Sequence, residues 1–571
     1  MKVIYASLLI LLSAFVYAQQ TPYEISNFQE TAEYEQVIEY YKTLDKQYEQ
    51  AKLLTYGPTD FGAPLHLFVL SKDQDFDPVS IRNKDKRILL FNNGIHPGEP
   101  EGIDASMMLS RDLLSKDALP DNIVICIIPL YNIGGSFNRS STSRANQNGP
   151  KAYGFRGNSK NYNLNRDFIK TDSKNAQSFQ EIFMHWNPEV FVDNHTSNGS
   201  DYQHVMTLIP TQKDKLNPII SEYLSQKMVP GIYEKMADQG YDLVPYVQFI
   251  GETPEEGIQQ YFESPRYSTG YASLHNSIGF MPETHMLKDY KSRVDATYAL
   301  MQCFIEIVHD DAQILAKNKK LADQAVQTQT SFPLQWTLDT TKVDSLLFKG
   351  YKGKHKPSQV SGLPRLYYDR QDPYEKVIPV LNTFKPTLSI EKPKAYIIPQ
   401  AWSRVTDLLH LNGVKLDTLR QDTMVQVESY YLSDYKTMSK PYEGHYMHSE
   451  VQVNPVLQSI QYYAGDIIVH TNQSKNLYII NTLEPQGMDS FFAWNFFDSI
   501  LDQKEHFSSY IFEDTAVEIL QQNPELKKAL DAKKASDSAF ASNAYAQLEF
   551  IYKHSDYYEP SHNRYPIGRI L

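Results

Sequence analysis

The residue types and spacing most able to do chemistry lie in FNNGIHPGEPEG at 91–102, where His96 and Glu99 stand three residues apart. A neutral imidazole and a carboxylate on one turn can face one metal ion. Gly94, Pro97, Gly98 and Pro100 give that turn a fixed shape and room for close approach. Zinc accepts nitrogen and oxygen ligands, and a catalytic site takes three from the protein while leaving one position for water. Two are here, so a third must come from elsewhere. His-x-x-Glu is common by chance, and its plain reading is a polar turn whose histidine caps a helix.

The third ligand is sought among the histidines. His195 closes the buried run EVFVDNH and is followed by the loop composition TSNG. His185, beside Trp186 in a helical stretch, and His204, opening a strand, rank below it. Two imidazoles and one carboxylate leave zinc with net positive charge, which draws the pKa of water from 15.7 towards about 7. A general base is needed too. Glu283 in SIGFMPETHM ends an apolar run and can take a proton from water and pass it to a leaving amine. Its plain reading is a surface carboxylate paired with Lys288 or Arg293. His285 shares its face by period two. Cations occur in three places: Arg139 and Arg144, then Arg156, then Asn165 with Arg166. An arginine beside zinc can stabilise an oxyanion, and a guanidinium matches a carboxylate in bidentate fashion. Taken singly, each arginine reads equally as a solvated loop residue.

Such residues need a scaffold. KRILLF before the turn is of strand type, and Ile103, Met107, Ser110 and Leu114 after it recur on one helical face. Residues 19–60 read as a helical preamble. From 64 to 310, runs such as HLFVL, NIVICIIPL and HVMTLIP alternate with helical patterns; Phe179, Ile182, Phe183 and Trp186 form one, stopped by Pro188. Strands alternating with helices imply a mixed α/β sheet covered on both faces, with sites at the carboxyl ends of strands. Residues 316–334 read as a polar linker. Beyond it, 335–571 reads as an accessory α/β region, with strands at AYIIPQ, VKLDTL, MVQVESYYL, YAGDIIVHT and LYIINTL and a long helical tail from Asp489 to His554. Its strands and helices look sufficient for a core of its own.

The composition sets limits. At 571 residues the chain exceeds one core. It is 41% hydrophobic and 22% charged, with net charge −13 and no dominant basic patch, which argues against nucleic acid as a partner. Lys2, an apolar run and VYA at 16–18 read as a signal peptide cleaved after Ala18, hence a secreted or periplasmic protein. No later stretch reaches transmembrane length. Cys126 and Cys303 lie in apolar runs and read as buried free thiols.

The order HPGE (96–99), NRDF (165–168), VDNHTSNG (192–199) and PETH (282–285) resembles the metallocarboxypeptidase family, the carboxypeptidase A-like zinc peptidases, over roughly residues 35–310. The resemblance implies a mixed eight-stranded sheet within a catalytic domain at 19–315. It implies one Zn2+ held by His96, Glu99 and His195, with Glu283 as general base. It further implies an oxyanion arginine at Arg144, with Arg139 as alternative, and a grip on the substrate's terminal carboxylate by Asn165 and Arg166. The tyrosine that covers substrate has three candidates, Tyr261, Tyr267 and Tyr271, of which Tyr271 in STGYASLHN is preferred. The family's usual Asp two residues before the Asn-Arg pair is Asn163 here, and its Asn-Pro-Asp-Gly stretch is NIGG at 132–135. The expected function is a secreted zinc carboxypeptidase acting on peptides with a free C-terminal carboxylate. The alternatives are a zinc amidase or deacylase acting on cell-wall peptides or acyl-amino acids, and an inactive binding protein on the same fold.

Overall fold

A computed structural model describes residues 20–571; the leader expected at 1–18 lies outside the described residues. After a helix at 34–47, the strands of the central sheet are Ala51–Pro58 (β1), Pro64–Leu70 (β2), Arg87–Asn92 (β3), Ile123–Ile128 (β4), Val190–Asp193 (β5), His195–Ser197 (β6), Met206–Pro210 (β7) and Val244–Pro245 (β8). Gln248–Phe249 (β9) and Ile258–Gln259 (β10) leave the sheet, and Ile278–His285 (β11) returns to its middle. The spatial order is β1-β2-β4-β3-β5-β11-β7-β8, with β6 attached to β11. The centre, β4 to β3 to β5 to β11, is parallel, while β1, β2 and β7 join antiparallel. The mixed sheet expected from the sequence is present, as eight strands in line plus the short β6.

Every residue of β3 and β4 is buried, as strands covered on both faces must be. The pleat sends alternate residues to opposite cores. Leu89, Phe91, Ile125 and Ile127 enter one, with Ile103 and Met107 of helix Glu101–Ser115 (α1). Ile88, Leu90, Val124 and Cys126 enter the other, with Phe179, Ile182, Phe183 and Trp186 of helix Lys174–Trp186 (α2). Helix Tyr290–Asp310 (α3) completes the first layer through Val294, Leu300 and Phe304. Cys126 and Cys303 are both buried free thiols.

The stretch read as a linker is mostly helix, Ala312–Thr328 (α4). Leu315, Lys319, Ala322 and Val326, at i, i+4, i+7 and i+11, are its buried stripe. Its many Lys, Gln and Asn residues are tolerated in a helix, and they lie outside that stripe except for Lys319. The next strands are Ser331–Leu338 (β12), the hairpin Asp344–Pro357 (β13) and Pro364–Leu381 (β14), and Phe384–Glu391 (β15). The hairpin adds to β10 and β9, tying the later region to a loop of the earlier one.

A six-stranded sheet comes next, from Ala395–Ile398 (β16), Asp417–Thr418 (β17), Thr423–Thr437 (β18), His448–Tyr462 (β19), Ile467–His470 (β20) and Gly568–Ile570 (β21), in the order β17-β20-β16-β21-β18-β19. Helices Ser403–Leu411 (α5) and Asn476–Leu483 (α6) pack beside it. LYIINTL, read as a strand, is therefore α6; a short apolar run buried on most sides carries too little period to separate the two. The helical tail is broken into four helices between Ser509 and Lys553 before the chain returns as β21.

The second core does not stop at residue 315. Val405, Leu408, Tyr396, Tyr478, Ile479 and Trp494 belong to the same buried cluster as α2 and β3. The two regions share a core, where the sequence pattern suggests a separate one for each. Among the described residues no helix is long and apolar enough to cross a membrane.

Candidate metal centre and substrate cavity

β3 ends at Asn92, and its parallel neighbour β5 ends at Asp193, so their carboxyl ends deliver His96 and His195 to the same edge of the sheet. The turn after β3 folds back through the Glu99 amide, which donates to His96 O (2.9 Å). Gly94 takes φ +64° there, a value that side chains disfavour. A Cβ on Gly98 would meet Arg144 Cδ and Gly154 O, each at 2.9 Å. Glycine at 98 is what lets Arg144 lie against the turn.

His96, Glu99 and His195 form one buried group whose ligand atoms all lie within 4.8 Å of one another. Glu99 Oε2 is 3.2 Å from His96 Nδ1 and 2.9 Å from His195 Nδ1. The far nitrogens are occupied: His195 Nε2–H donates to Asp193 Oδ2 (2.9 Å), and His96 Nε2 lies 2.8 Å from both Asn163 Oδ1 and Arg156 Nη1. The two Nδ1 atoms and a carboxylate oxygen thus converge on one point. Two imidazoles and a carboxylate gathered out of water are a donor set that fits zinc. Asn163, the departure from the family's usual Asp, still orients His96 through its amide oxygen.

The other carboxylate oxygen, Glu99 Oε1, accepts from Arg144 Nη1 (2.5 Å) and Arg156 Nη2 (2.6 Å). Burial alone would raise the Glu99 pKa, but His96, Arg144 and Arg156 hold it well below the carboxylate range. Burial, with Arg156 beside it, lowers His96 to about 4, so its ring is neutral. Burial also opposes charge on His195, yet Asp193 and Glu99 raise it well above the usual value.

These residues form one wall of a cavity of about 250 Å³. Glu283, in β11, lines it and is partly exposed to it. Burial lifts its carboxyl to about 8. Arg144, Arg156, Asn165 and Arg166 line the same cavity. Asn165 Nδ2 lies 3.5 Å from His195 Nε2, and its Oδ1 accepts from the Ser268 amide (3.3 Å). Arg166 donates from Nε to Tyr442 Oη (2.9 Å) and from Nη1 to Asn165 O (2.7 Å), and its guanidinium lies 4.2 Å from the Tyr267 ring centre. The backbone turns at 164–166 in a 3-10 helix, which lets the adjacent Asn165 and Arg166 share a cavity despite the alternation expected of an extended chain.

Two sequence choices fall elsewhere. Tyr271 is fully buried, with its hydroxyl donating to Asn412 Oδ1 (2.6 Å), and packs against Phe183 and His275. It sits on a short helix that turns it into the core, so it covers nothing. Tyr246, Tyr261 and Tyr267 line the cavity instead. Arg139 donates to Thr31 O (3.2 Å) and Ala152 O (3.0 Å), outside the cavity. Of the lower-ranked histidines, His204 donates to Asp242 O and His185 lies beside Tyr56 with the rings tilted. His285 donates to Ser200 O (2.8 Å) and touches none of the ligands.

Other members of the site carried weaker signals or none. Asp193 stands two residues before His195, a same-face spacing that marks it as the orienting group. Glu263, buried at a cavity wall with φ +48°, gave no local pattern. Tyr442 comes from a region far along the chain.

No protein-family model matches the chain. Carboxypeptidase 2 of Trichophyton rubrum is 22% identical over 446 residues, covering 72% of this chain and 74% of its own length. Carboxypeptidase 2 of Trichophyton equinum is 23% identical over 426 residues, covering 70% and 72%. The carboxypeptidase A of Helicoverpa armigera overlays with a TM-score of 0.38 at 15% identity, covering 52% of this chain and 75% of that one. The curated relatives, taken with the ordered motifs, support a hydrolase of the metallocarboxypeptidase family.

Proposed function

We propose that this metallocarboxypeptidase-family chain is a zinc-dependent exopeptidase that removes the last residue from peptides bearing a free C-terminal carboxylate. The observation that carries the reading is the convergence of His96 Nδ1, His195 Nδ1 and Glu99 Oε2 on one wall of a cavity that also receives Glu283, Arg144, Asn165 and Arg166. His96, Glu99 and His195 would hold one zinc ion. When bound, such an ion acts as a Lewis acid and lowers the pKa of water towards about 7.

The chain's own residues supply the remaining roles. Glu283 takes a proton from attacking water and delivers it to the leaving amine; burial raises its proton affinity, which favours the delivery, and His195, Arg156 and Arg144 pull it back down. Arg144, fixed by Gln147 and the Thr196 carbonyl, faces negative charge developing on the scissile carbonyl oxygen. Arg166 and Asn165 bind the substrate's terminal carboxylate, which sets the cut one residue from the end. Tyr261 and Tyr267, joined hydroxyl to hydroxyl at 3.0 Å, are the aromatic wall nearest that carboxylate site. The leader expected at residues 1–18 supports export to the periplasm or the medium.

The test is the same peptide offered as free acid and as C-terminal amide, to the wild type and to Arg166→Ala. The wild type is expected to prefer the acid. Truncating one partner of a buried charged pair costs on the order of 2–5 kcal/mol, so Arg166→Ala should lose roughly 30-fold to several thousand-fold in kcat/KM on the acid and little on the amide. Efficient wild-type cleavage of the amide would replace this reading with the amidase or deacylase one.

A further inference from the structure

The loop joining β18 to β19 belongs to the later region, yet it reaches Arg166 in the wall of the substrate cavity. Its tip is Tyr442-Glu443-Gly444-His445, closed by Tyr442 N–H to His445 O (2.7 Å) and His445 N–H to Tyr442 O (3.0 Å). Glu443 and Gly444 both take positive φ, 50° and 84°, as a type I′ hairpin turn requires. For a glutamate that is a costly conformation, held only where the surroundings fix it.

Three side chains of this one turn are docked on residues 163–172. Tyr442 Oη accepts from Arg166 Nε (2.9 Å). Glu443 Oε2 accepts from the Asn163 amide (2.7 Å). His445 Nε2–H donates to Asp172 Oδ2 (2.7 Å). The turn has its own support behind it. The Tyr442 ring stacks on Trp494, with centres 6.3 Å apart at 20°. Arg266, locked to Asp489 (2.7 Å), lies over both rings.

Asn163 and Arg166 are the two ends of the segment that matters. Asn163 orients His96, and Arg166 faces the cavity. A guanidinium on a flexible stem loses rotamer freedom when it binds a carboxylate, and pre-orienting it removes part of that cost. Tyr442 takes Nε and Asn165 O takes Nη1, while Nη2 donates to no described residue. The head is thus fixed with one nitrogen left over.

We propose that the 442–445 turn completes the substrate site from the later region, with Tyr442 and Glu443 as positioning residues that hold Arg166 ready for the substrate's terminal carboxylate. This rests on the carboxypeptidase reading above and adds to it a role for the region after residue 335. Tyr442 acts on binding of one group rather than on the bond-breaking step, so its effect falls on KM and on free-acid substrates alone.

The experiment measures KM and kcat separately on paired acid and amide peptides. The variants are Tyr442→Phe, Arg166→Ala, the double variant, Glu443→Leu and Glu443→Gln, each checked for folding by thermal melting. Tyr442→Phe keeps the ring and its stacking and removes only the acceptor. It should raise KM for the acid peptide by about 10-fold, the scale of one hydrogen bond to a charged group, with kcat and amide hydrolysis little changed. Added to Arg166→Ala it should do nothing more. Glu443→Leu should repeat the rise in KM, and Glu443→Gln, which keeps an oxygen for the Asn163 amide, should not. Equal losses on acid and amide, or an additive double variant, would make the turn merely structural and overturn the proposal. A wild type that prefers the acid, an Arg166→Ala that loses the preference and a Tyr442→Phe that keeps it would overturn the turn's role alone. A wild type indifferent to the carboxylate would overturn both this role and the carboxypeptidase reading.

Discussion

Glu283 and His195 are register partners: their Cα atoms pair across the parallel strands β11 and β6. The carboxylate proposed as base and one proposed metal ligand are therefore held by a backbone ladder rather than by loops. Glu283→Gln should fold and retain metal, because neither the ladder nor the ligand set changes. Its kcat should fall on the order of 10²–10⁴, the usual scale for losing a general base. Turnover near wild type with full metal content would remove Glu283 from the reaction.

His96→Ala or His195→Ala should bring zinc occupancy of the purified protein, measured by elemental analysis, well below one ion per chain. The fold should survive chelation. Glu99 keeps Arg144 and Arg156 on Oε1 whether or not an ion sits at Oε2. A chelated sample should thus lose hydrolysis while its circular dichroism stays unchanged. Full zinc content in either variant would refute the ligand assignment.

A chain ending near residue 330 should be insoluble or molten. Its truncation strips Val405, Leu408, Tyr478 and Trp494 from the cluster that also contains Phe179, Phe183 and Trp186. Each large apolar side chain uncovered costs about 1.5–3 kcal/mol. A handful of them equals the whole stability of an ordinary domain, about 5–15 kcal/mol. A soluble, cooperatively melting fragment would show the shared core to be dispensable.

Lys475 should make stability depend on pH. Burial, with Lys319 beside it, lowers the Lys475 amine from 10.5 to about 7. Below pH 7 both folded and unfolded chains carry the proton, and the folded state bears the full cost of burying it. As pH rises from 7 to 10.5 only the unfolded chain still favours the proton, so the penalty fades and stability from this site rises. Lys475→Met should therefore raise the melting temperature at or below pH 7, on the order of 2–4 °C, with the gain shrinking towards pH 10. A gain independent of pH would assign the effect to packing instead.

The parts legible in the sequence were those written in local periods. Alternating apolar runs gave the central strands, and the His96–Glu99 turn came from a strand meeting a helix across Gly and Pro. What failed needed the third dimension. Tyr261, Tyr267 and Tyr271 are equivalent as letters; a one-turn helix at Ser268–Ser273 sends the last into the core and leaves the others at the cavity. LYIINTL showed no clear period because α6 is buried on most sides, with only Leu477 and Asn481 half-buried. The α4 stripe Leu315, Lys319, Ala322, Val326 was readable, but a lysine inside it hid the pattern. Nothing local could link Tyr442 to Arg166 across 276 positions.

β21 lies between β16 and β18, in the interior of its sheet. A ribosome makes residues 395–398 and 423–437 long before 568–570. Until residues 568–570 are made, β16 and β18 lack the strand that joins them. The hairpin that carries the 442–445 turn is thus bound into its sheet late, while the turn itself rests on Trp494 and the Arg266–Asp489 pair.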